Sequence, residues 1–246
     1  MRLHDGSKTA KRGFAKEKEV ASKFNNWKND DIAKEWLITM GYKLDEIEKV
    51  EATILHGHKT DVQVGVIIYH KEGVDYRNIS VKLVSSKVKL NQIDKRWVDK
   101  YKELWNIPDD IVHILKLYTG EIKHNRKDLR KSKRMFLDEF PIRDQEKVVK
   151  FFTDNKVLII NDVLRGRAPH PAEWMLVAHI SESRERWVLK HMHNVISHYF
   201  IGDVHINRNG NLYIGSIRMQ RKGGDKGKNS ANMLQFKANP LELFNI

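Results

Sequence analysis

Between residues 60 and 84 the sequence permits little other than two antiparallel strands joined by a tight turn. Val62, Val64, Val66 and Ile68 alternate with Gln63, Gly65 and Ile67, the period of two that sends successive side chains to opposite faces of a strand. His70-Lys71-Glu72-Gly73 interrupts the alternation as a turn does. Beyond it, Ile79, Val81 and Leu83 share one face while Ser80 and Lys82 share the other. A reversal between Lys71 and Glu72 sets Asp61 opposite Lys82 and Gln63 opposite Ser80. A carboxylate and an ammonium then meet at the open end of the hairpin, and a one-residue slip would separate them.

An Asp on one strand and x-Lys on the next is the residue pattern of the PD-(D/E)xK nucleases, and the chemistry explains the residue types. Phosphodiester hydrolysis needs an attacking water to lose a proton and a highly charged phosphorane-like state to be stabilised. A hard divalent ion held by oxygen ligands does both, and a nearby ammonium orients the water and offsets the developing charge. Taken alone, Asp61 and Lys82 describe a cross-strand ion pair equally well, so other features must decide.

Charge is the first of these. Among 246 residues, 45 Lys and Arg face 32 Asp and Glu, a net charge of +13 that suits a polyanionic partner such as DNA. The 40% hydrophobic content supports one large core or two small ones. The absence of cysteine excludes disulfides, iron–sulfur clusters and cysteine–zinc sites, and agrees with a reducing compartment. No apolar run approaches the ~18 residues of a membrane span, and the N-terminus lacks the apolar core of a signal peptide. A soluble, cytoplasmic protein with no membrane partner is expected.

A helix is predicted from Gly13, with Phe14, Val20, Ala21, Phe24 and Trp27 on one stripe. Glu17 falls early in it, either supporting a metal site or belonging to a charged face with Lys16, Lys18 and Glu19. A second helix over 32–40 ends at Gly41. His56-Gly57-His58 and His191-Met192-His193 supply pairs of imidazoles without a third ligand at a matching spacing. Asn91-Gln92-Ile93-Asp94-Lys95-Arg96-Trp97 reads as the opening of a helix with Ile93, Trp97, Tyr101 and Trp105 inward. Asn91, Gln92, Lys95 and Arg96 then stand at an exposed helix start, where a phosphate or a base edge can be met.

Further helices are predicted over 111–118 and 141–155, with a basic loop at 123–134 suited to non-specific backbone contact. A boundary near 156 divides a catalytic domain, 1–155, from a DNA-recognition region, 156–246. In the latter, Val157-Leu158-Ile159-Ile160 and Trp174-Met175-Leu176-Val177-Ala178 have strand length, and Arg165-Gly166-Arg167 is a compact loop with two long cations. Residues 188–200 read as helix, and 204–214 as a second hairpin. Near the end, Arg218-Met219-Gln220-Arg221-Lys222-Gly223-Gly224-Asp225 and Asn229 to Lys237 combine the side chains that read base edges. The G-x(4)-G-K-[ST] spacing of a nucleotide-binding loop is absent.

The sequence resembles the type II restriction endonucleases of the HinP and Msp type, which cut four-base G+C sites. The likeness to the HinP-type, GCGC-cutting pattern extends over essentially the whole chain. It is carried by Gly6-Ser7-Lys8-Thr9-Ala10-Lys11, Asn91-Gln92-Ile93-Asp94-Lys95, Leu164-Arg165-Gly166-Arg167, and the segments 220–225 and 232–237. The resemblance implies an α/β fold: a restriction-endonuclease-like mixed β-sheet flanked by helices, with a second, smaller α/β region. It implies Mg2+-dependent cleavage of double-stranded DNA leaving 5′-phosphates. By position Asp61 becomes the metal carboxylate, Lys82 the catalytic lysine, and the Val81 carbonyl a further metal ligand. Ser80 departs from the pattern, which has Gln there. A hydroxyl is a shorter and weaker ligand for a hard cation, so Gln63 or Glu17 becomes a candidate to compensate.

Two alternatives stay open at this level: a sequence-specific binding protein whose catalysis is lost at Ser80, and a structure-specific nuclease or resolvase on the same fold. Gln92, Lys95, Gln220, Arg221 and Lys222 are the first candidates for DNA reading, followed by Asn91, Arg165, Arg167 and Gln235. Monomer and weak homodimer are both compatible with the sequence.

Overall fold

The helix signals at the N-terminus and the alternation after them produce α1 (Asp5–Asn25), α2 (Asp31–Thr39), β1 (Ile47–Leu55), β2 (Gln63–His70) and β3 (Gly73–Ser85). Next come β4 (Asn91–Arg96), α3 (Val98–Trp105), α4 (Asp109–Thr119), α5 (Ile142–Asp154) and α6 (Lys156–Arg165). They are followed by β5 (Trp174–Ile180), β6 (Glu185–His191), α7 (Met192–Phe200), β7 (Val204–Ile206), β8 (Leu212–Ile214), β9 (Ile217–Arg221) and β10 (Leu234–Ala238). The computed structural model describes residues 5–55, 63–85, 90–167, 169–181, 184–224 and 228–246.

Contacts divide the chain into two units. One is Met1–Lys89, Arg165–Val195 and Asn239–Ile246, and the other is Leu90–Leu164 and Ile196–Ala238. Both are discontinuous in sequence, a division that a single boundary near 156 does not reproduce.

The first unit holds a five-stranded sheet in the order β1-β2-β3-β5-β6, antiparallel except where β3 runs parallel to β5. The pairing of β2 with β3 runs from Gln63 opposite Ser80 to His70 opposite Gly73, the register that the alternation predicts. Val64, Val66, Ile68, Ile79, Val81, Trp174, Leu176 and Leu189 form one apolar face of this sheet. Val20, Ala21 and Phe24 of α1 and Ala33, Trp36 and Leu37 of α2 share that core, so the stripe predicted for α1 is its buried side.

The start of α2 is fixed by Asp30, whose carboxylate accepts the Ala33 N–H at 3.0 Å and pairs with Lys23 at 3.0 Å. Burial raises its pKa, but the Ala33 N–H and the Lys23 ammonium outweigh that and hold it below the ordinary aspartate value. Asp30→Ala is expected to cost about 1 kcal/mol of stability. Because the folded pKa is depressed, the contribution is present above the ordinary value of 3.8 and fades as pH falls through the folded value. Urea titrations of both proteins at pH 7 and at acid pH check this: the gap between them should close in acid.

The second unit holds an antiparallel five-stranded sheet in the order β4-β10-β9-β8-β7. Phe236 on β10, the second strand of this sheet, packs edge-on against Tyr101 at 5.3 Å and Trp105 at 5.5 Å. The hairpin expected over 204–214 is β7 and β8.

Three local expectations are corrected. Residues 91–96 form a strand rather than the opening of a helix, because β10 pairs with them. Trp97 is therefore exposed at the start of α3, and Asp94 is buried, accepting from the Tyr101 hydroxyl and the Arg96 guanidinium, each at 3.0 Å. The apolar run at 157–160 is helical, its Ile159 and Ile160 buried while Val157 and Leu158 face out. The stretch 188–200 changes type at Met192, the N-terminal part completing β6 and the rest forming α7.

Candidate active site and nucleic-acid interface

The strand pleat places Ser80 and Lys82 on the face of β3 opposite Ile79 and Val81. Both belong to the middle strand of the first sheet, where Ser80 is in register with Met175 and Lys82 with Val177 of β5. Ser80 is buried and Lys82 half-buried. Because β3 is paired on both sides at Ser80, the backbone carrying these groups is held from two directions. Asp61 lies outside the described residues, as does His56-Gly57-His58. The described pair nearest that end of the hairpin is Gln63 with Ser80.

Glu17 is 7% exposed, which sets aside a solvated surface role. It sits one turn before Val20 and Ala21, on the stripe of α1 that packs with Ile79 and Val81. The structure thus brings Ser80 and Lys82 to one side of β3 and keeps Glu17 with the core of the other side.

The loop after α6 approaches the same end of the hairpin. Gly166 has a φ of 75°, a left-handed conformation that favours glycine, and a β-carbon there would lie 3.9 Å from the Gln63 side-chain nitrogen. The Arg165 carbonyl accepts the Ala172 N–H at 2.8 Å and closes the loop. Arg165 is half-buried with no hydrogen-bond acceptor for its Nε, while Arg167 is exposed.

The potential ligand atoms at this place, the Ser80 hydroxyl and the Gln63 amide oxygen, are hard and neutral, and the chain has no thiol. That set suits a hard cation such as Mg2+ and not a soft metal. Among the described residues, no three His, Cys, Asp or Glu side chains converge on a metal position. His191 and His193 are not a ligand pair: the His191 ring lies edge-on to Trp174 at 5.0 Å, and its Nδ1 accepts the His193 N–H at 3.3 Å.

Apart from Arg165 and Arg167, the expected reading residues are on or next to the second sheet. Gln235 on β10 is in register with Lys95 on β4 and with Gln220 on β9, and its Nε2 donates to the Gln92 Oε1 at 2.6 Å. With Phe236 on the core side, Gln235 and its cross-strand neighbours lie on the opposite face, Gln235 buried there and Lys95 and Gln220 half-buried. Asn91 begins β4 and is in register with Ala238, and Lys222 follows β9, its N–H donating to the Met233 carbonyl at 2.9 Å.

Arg221 falls on the other side of β9. Its Nε donates to the Thr119 carbonyl at 2.8 Å and its Nη2 to Asn232 at 2.7 Å, while Asn232 in turn donates to Gly120 at 3.1 Å. Arg221 therefore satisfies the last carbonyls of α4, and burial lowers its pKa from the usual arginine value. In the basic segment 123–134, Arg126 pairs with Asp128, and Arg130 with Asp138 and Glu139. Two of its arginines are thus already partnered by carboxylates.

Arg218 and Lys237, which fall within the two polar segments named in the sequence but not among the individual candidates, share the face of Gln220 and Gln235. Their positions two residues away on the same strands are the signal that a strand assignment would have exposed.

Among the described residues no helix is long and apolar enough to cross a membrane. The search of curated proteins finds no match. Among solved structures, the restriction endonuclease MspI in complex with its cognate DNA is similar, with a TM-score of 0.64 at 13% sequence identity, over 95% of this chain and 91% of that one. That likeness shows a shared mixed α/β architecture. The family model described as R.HinP1I restriction endonuclease matches residues 40–244, most of the chain. The chain belongs to the R.HinP1I restriction endonuclease family and is a DNA-binding, type II site-specific deoxyribonuclease.

Proposed function

We propose that this nuclease hydrolyses double-stranded DNA in a Mg2+-dependent reaction at the four-base site GCGC, leaving 5′-phosphates, as the cleaving partner of a cytoplasmic restriction–modification system. The observation that carries the reading is the β2/β3 register, which sets Ser80 and Lys82 on one face beside Gln63 at the open end of the hairpin. When bound, Mg2+ supplies a hard Lewis acid for the attacking water and the phosphorane charge. Asp61 and the Val81 carbonyl would hold it, and Ser80, whose hydroxyl is a shorter and weaker ligand than an amide oxygen, would support it only indirectly.

Lys82 orients the nucleophilic water and neutralises charge growing on a phosphoryl oxygen. Glu17, seated beneath the opposite face of β3, holds α1 against the sheet and is a positioning residue. Gln92, Lys95, Gln220 and Gln235 read bases, with Asn91 beside them, and Arg165, Arg167 and Lys222 contact the backbone. Arg221 keeps the end of α4 in place for them. The protein works as a monomer or a weak homodimer.

Digestion of DNA of known sequence with Mg2+, followed by sequencing of the ends, tests this. Cuts confined to GCGC with ligatable 5′-phosphate ends are expected. In the same digest Gln235→Ala should relax the site, since losing one base contact costs about 1–3 kcal/mol of discrimination. Random nicking, a preference for branched DNA, or cutting at an unrelated sequence would overturn the assignment.

A further inference from the structure

The face of the second sheet opposite Phe236 carries a charge arrangement that neither strand alternation nor core packing requires. Along one row, Gln92 of β4 is in register with Lys237 of β10, and Lys237 with Arg218 of β9. The row continues from Arg218 to Tyr213 of β8 and from Tyr213 to His205 of β7, and so crosses every strand of the sheet. Two cations directly opposite each other on antiparallel neighbours repel, which a sequence selected for stability alone would avoid.

The surroundings sharpen the conflict. Burial first, and then the charge of Arg218, hold the Lys237 ammonium below the ordinary lysine range. Among the described residues no carboxylate pairs with Arg218 or Lys237, and the buried Nε of Arg218 has no acceptor. Two residues from Lys237, Gln235 is only 5% exposed, with one hydrogen bond to Gln92 and its Oε1 without a donor. At the far end of the row the His205 and Tyr213 rings stack at 5.4 Å and 8°.

A concentration of positive charge with unsatisfied donors is stabilised by an anion that brings several acceptors at once. A guanidinium fork beside a point-charge ammonium matches the oxygens of a phosphate diester. We propose that Arg218 and Lys237 form an oxyanion site that takes a backbone phosphate of the bound DNA duplex, with Gln92 and Tyr213 flanking it. This rests on the reading that the second sheet meets DNA. The site fixes where the duplex sits, and the neighbouring row of Lys95, Gln235 and Gln220 reads from that fixed position. The repulsion in the free protein is the cost of a site completed by its substrate.

The test uses Arg218→Gln, Lys237→Gln and the double variant, with Ca2+ replacing Mg2+ to hold DNA uncut. Affinities for a GCGC duplex and for a scrambled duplex are measured over a salt series. Each single change should weaken both duplexes by the same factor and reduce the log–log salt slope by about 1. In a second arm, thermal unfolding is compared in inorganic phosphate and in chloride of equal ionic strength. Phosphate should raise the wild-type midpoint and leave the double variant's unchanged, and without phosphate the variants should melt no lower than wild type.

An unchanged salt slope, or a loss confined to the GCGC duplex, overturns the proposal, the latter because it marks base readers. Wild-type protein that binds phosphate and duplex but cuts nothing leaves this site standing and removes the nuclease reading. Site-specific cutting with slopes unaltered in the variants removes only the site.

Discussion

Lys82→Ala is expected to slow single-turnover cleavage of a GCGC duplex by about 10²–10³-fold, the usual cost of removing one preorganised charge from a reacting oxyanion. The affinity for the same duplex, measured with Ca2+, should change little, because the residues proposed to read bases belong to the second sheet. The side chain projects from a strand paired to β2 on one side and β5 on the other, so its removal leaves the backbone in place. Lys82→Arg restores the charge but not the geometry, since a planar fork does not replace a compact ammonium, and should recover only part of the rate. If wild-type and variant protein bind equally and neither cuts, the chain is a binding protein whose chemistry was lost at Ser80. If the variant cuts as fast as wild type, the hairpin is not the active centre.

The largest loss of stability is expected from Gly215→Ala. Gly215 turns the chain from β8 into β9 with a φ of 58°. An added β-carbon would fall against the Tyr199 carbonyl oxygen and lie 3.0 Å from those of Phe200 and Ile201. These are backbone atoms at the end of α7, and Ser216 donates its N–H to Tyr199 at 3.1 Å, so they have nowhere to move. The left-handed conformation costs a non-glycine residue about 1–2 kcal/mol, and overpacking adds about 1–3 kcal/mol. Gly41→Ala separates the two effects, because Gly41 has a φ of 94° with nothing within 4 Å of the added carbon. Urea unfolding should show the Gly215 variant losing clearly more than the Gly41 variant. Equal losses would mean that the α7 carbonyls yield.

The β2/β3 hairpin was readable because its signals are local: a strict alternation, a polar turn, and one register that keeps Val64, Val66, Ile68, Ile79 and Val81 on a common face. The strand at 91–96 was not, because its pattern points the other way. Ile93, Trp97 and Tyr101 recur every four residues like the stripe of a helix, and the strand exists only because β10, far along the chain, supplies its ladder. That one misreading hid the alignment of the candidate recognition residues. As a helix start, Gln92 and Lys95 are isolated polar groups. As a strand they align with Gln235, Gln220, Arg218 and Lys237. The apolar run at 157–160 is short enough to suit either type, and Asp162, buried against the Trp105 indole N–H at 2.7 Å, is what anchors it as a helix. Arg221 has a base reader's chemistry, but its acceptors at 119 and 232 are invisible until the chain is folded.

The parallel junction between β3 and β5 also dictates an order of assembly. β1, β2 and β3 follow one another closely and can zip together by short reversals while the chain is still emerging. The remaining side of β3 must wait for Trp174 to reach Ile79, a loop of on the order of a hundred residues whose closure is slow. Until then the strand that carries Lys82 exposes an unsatisfied edge, a template for pairing with another copy. Nascent protein is therefore most vulnerable to aggregation at β3, and slower synthesis between residues 89 and 165 would prolong that exposure.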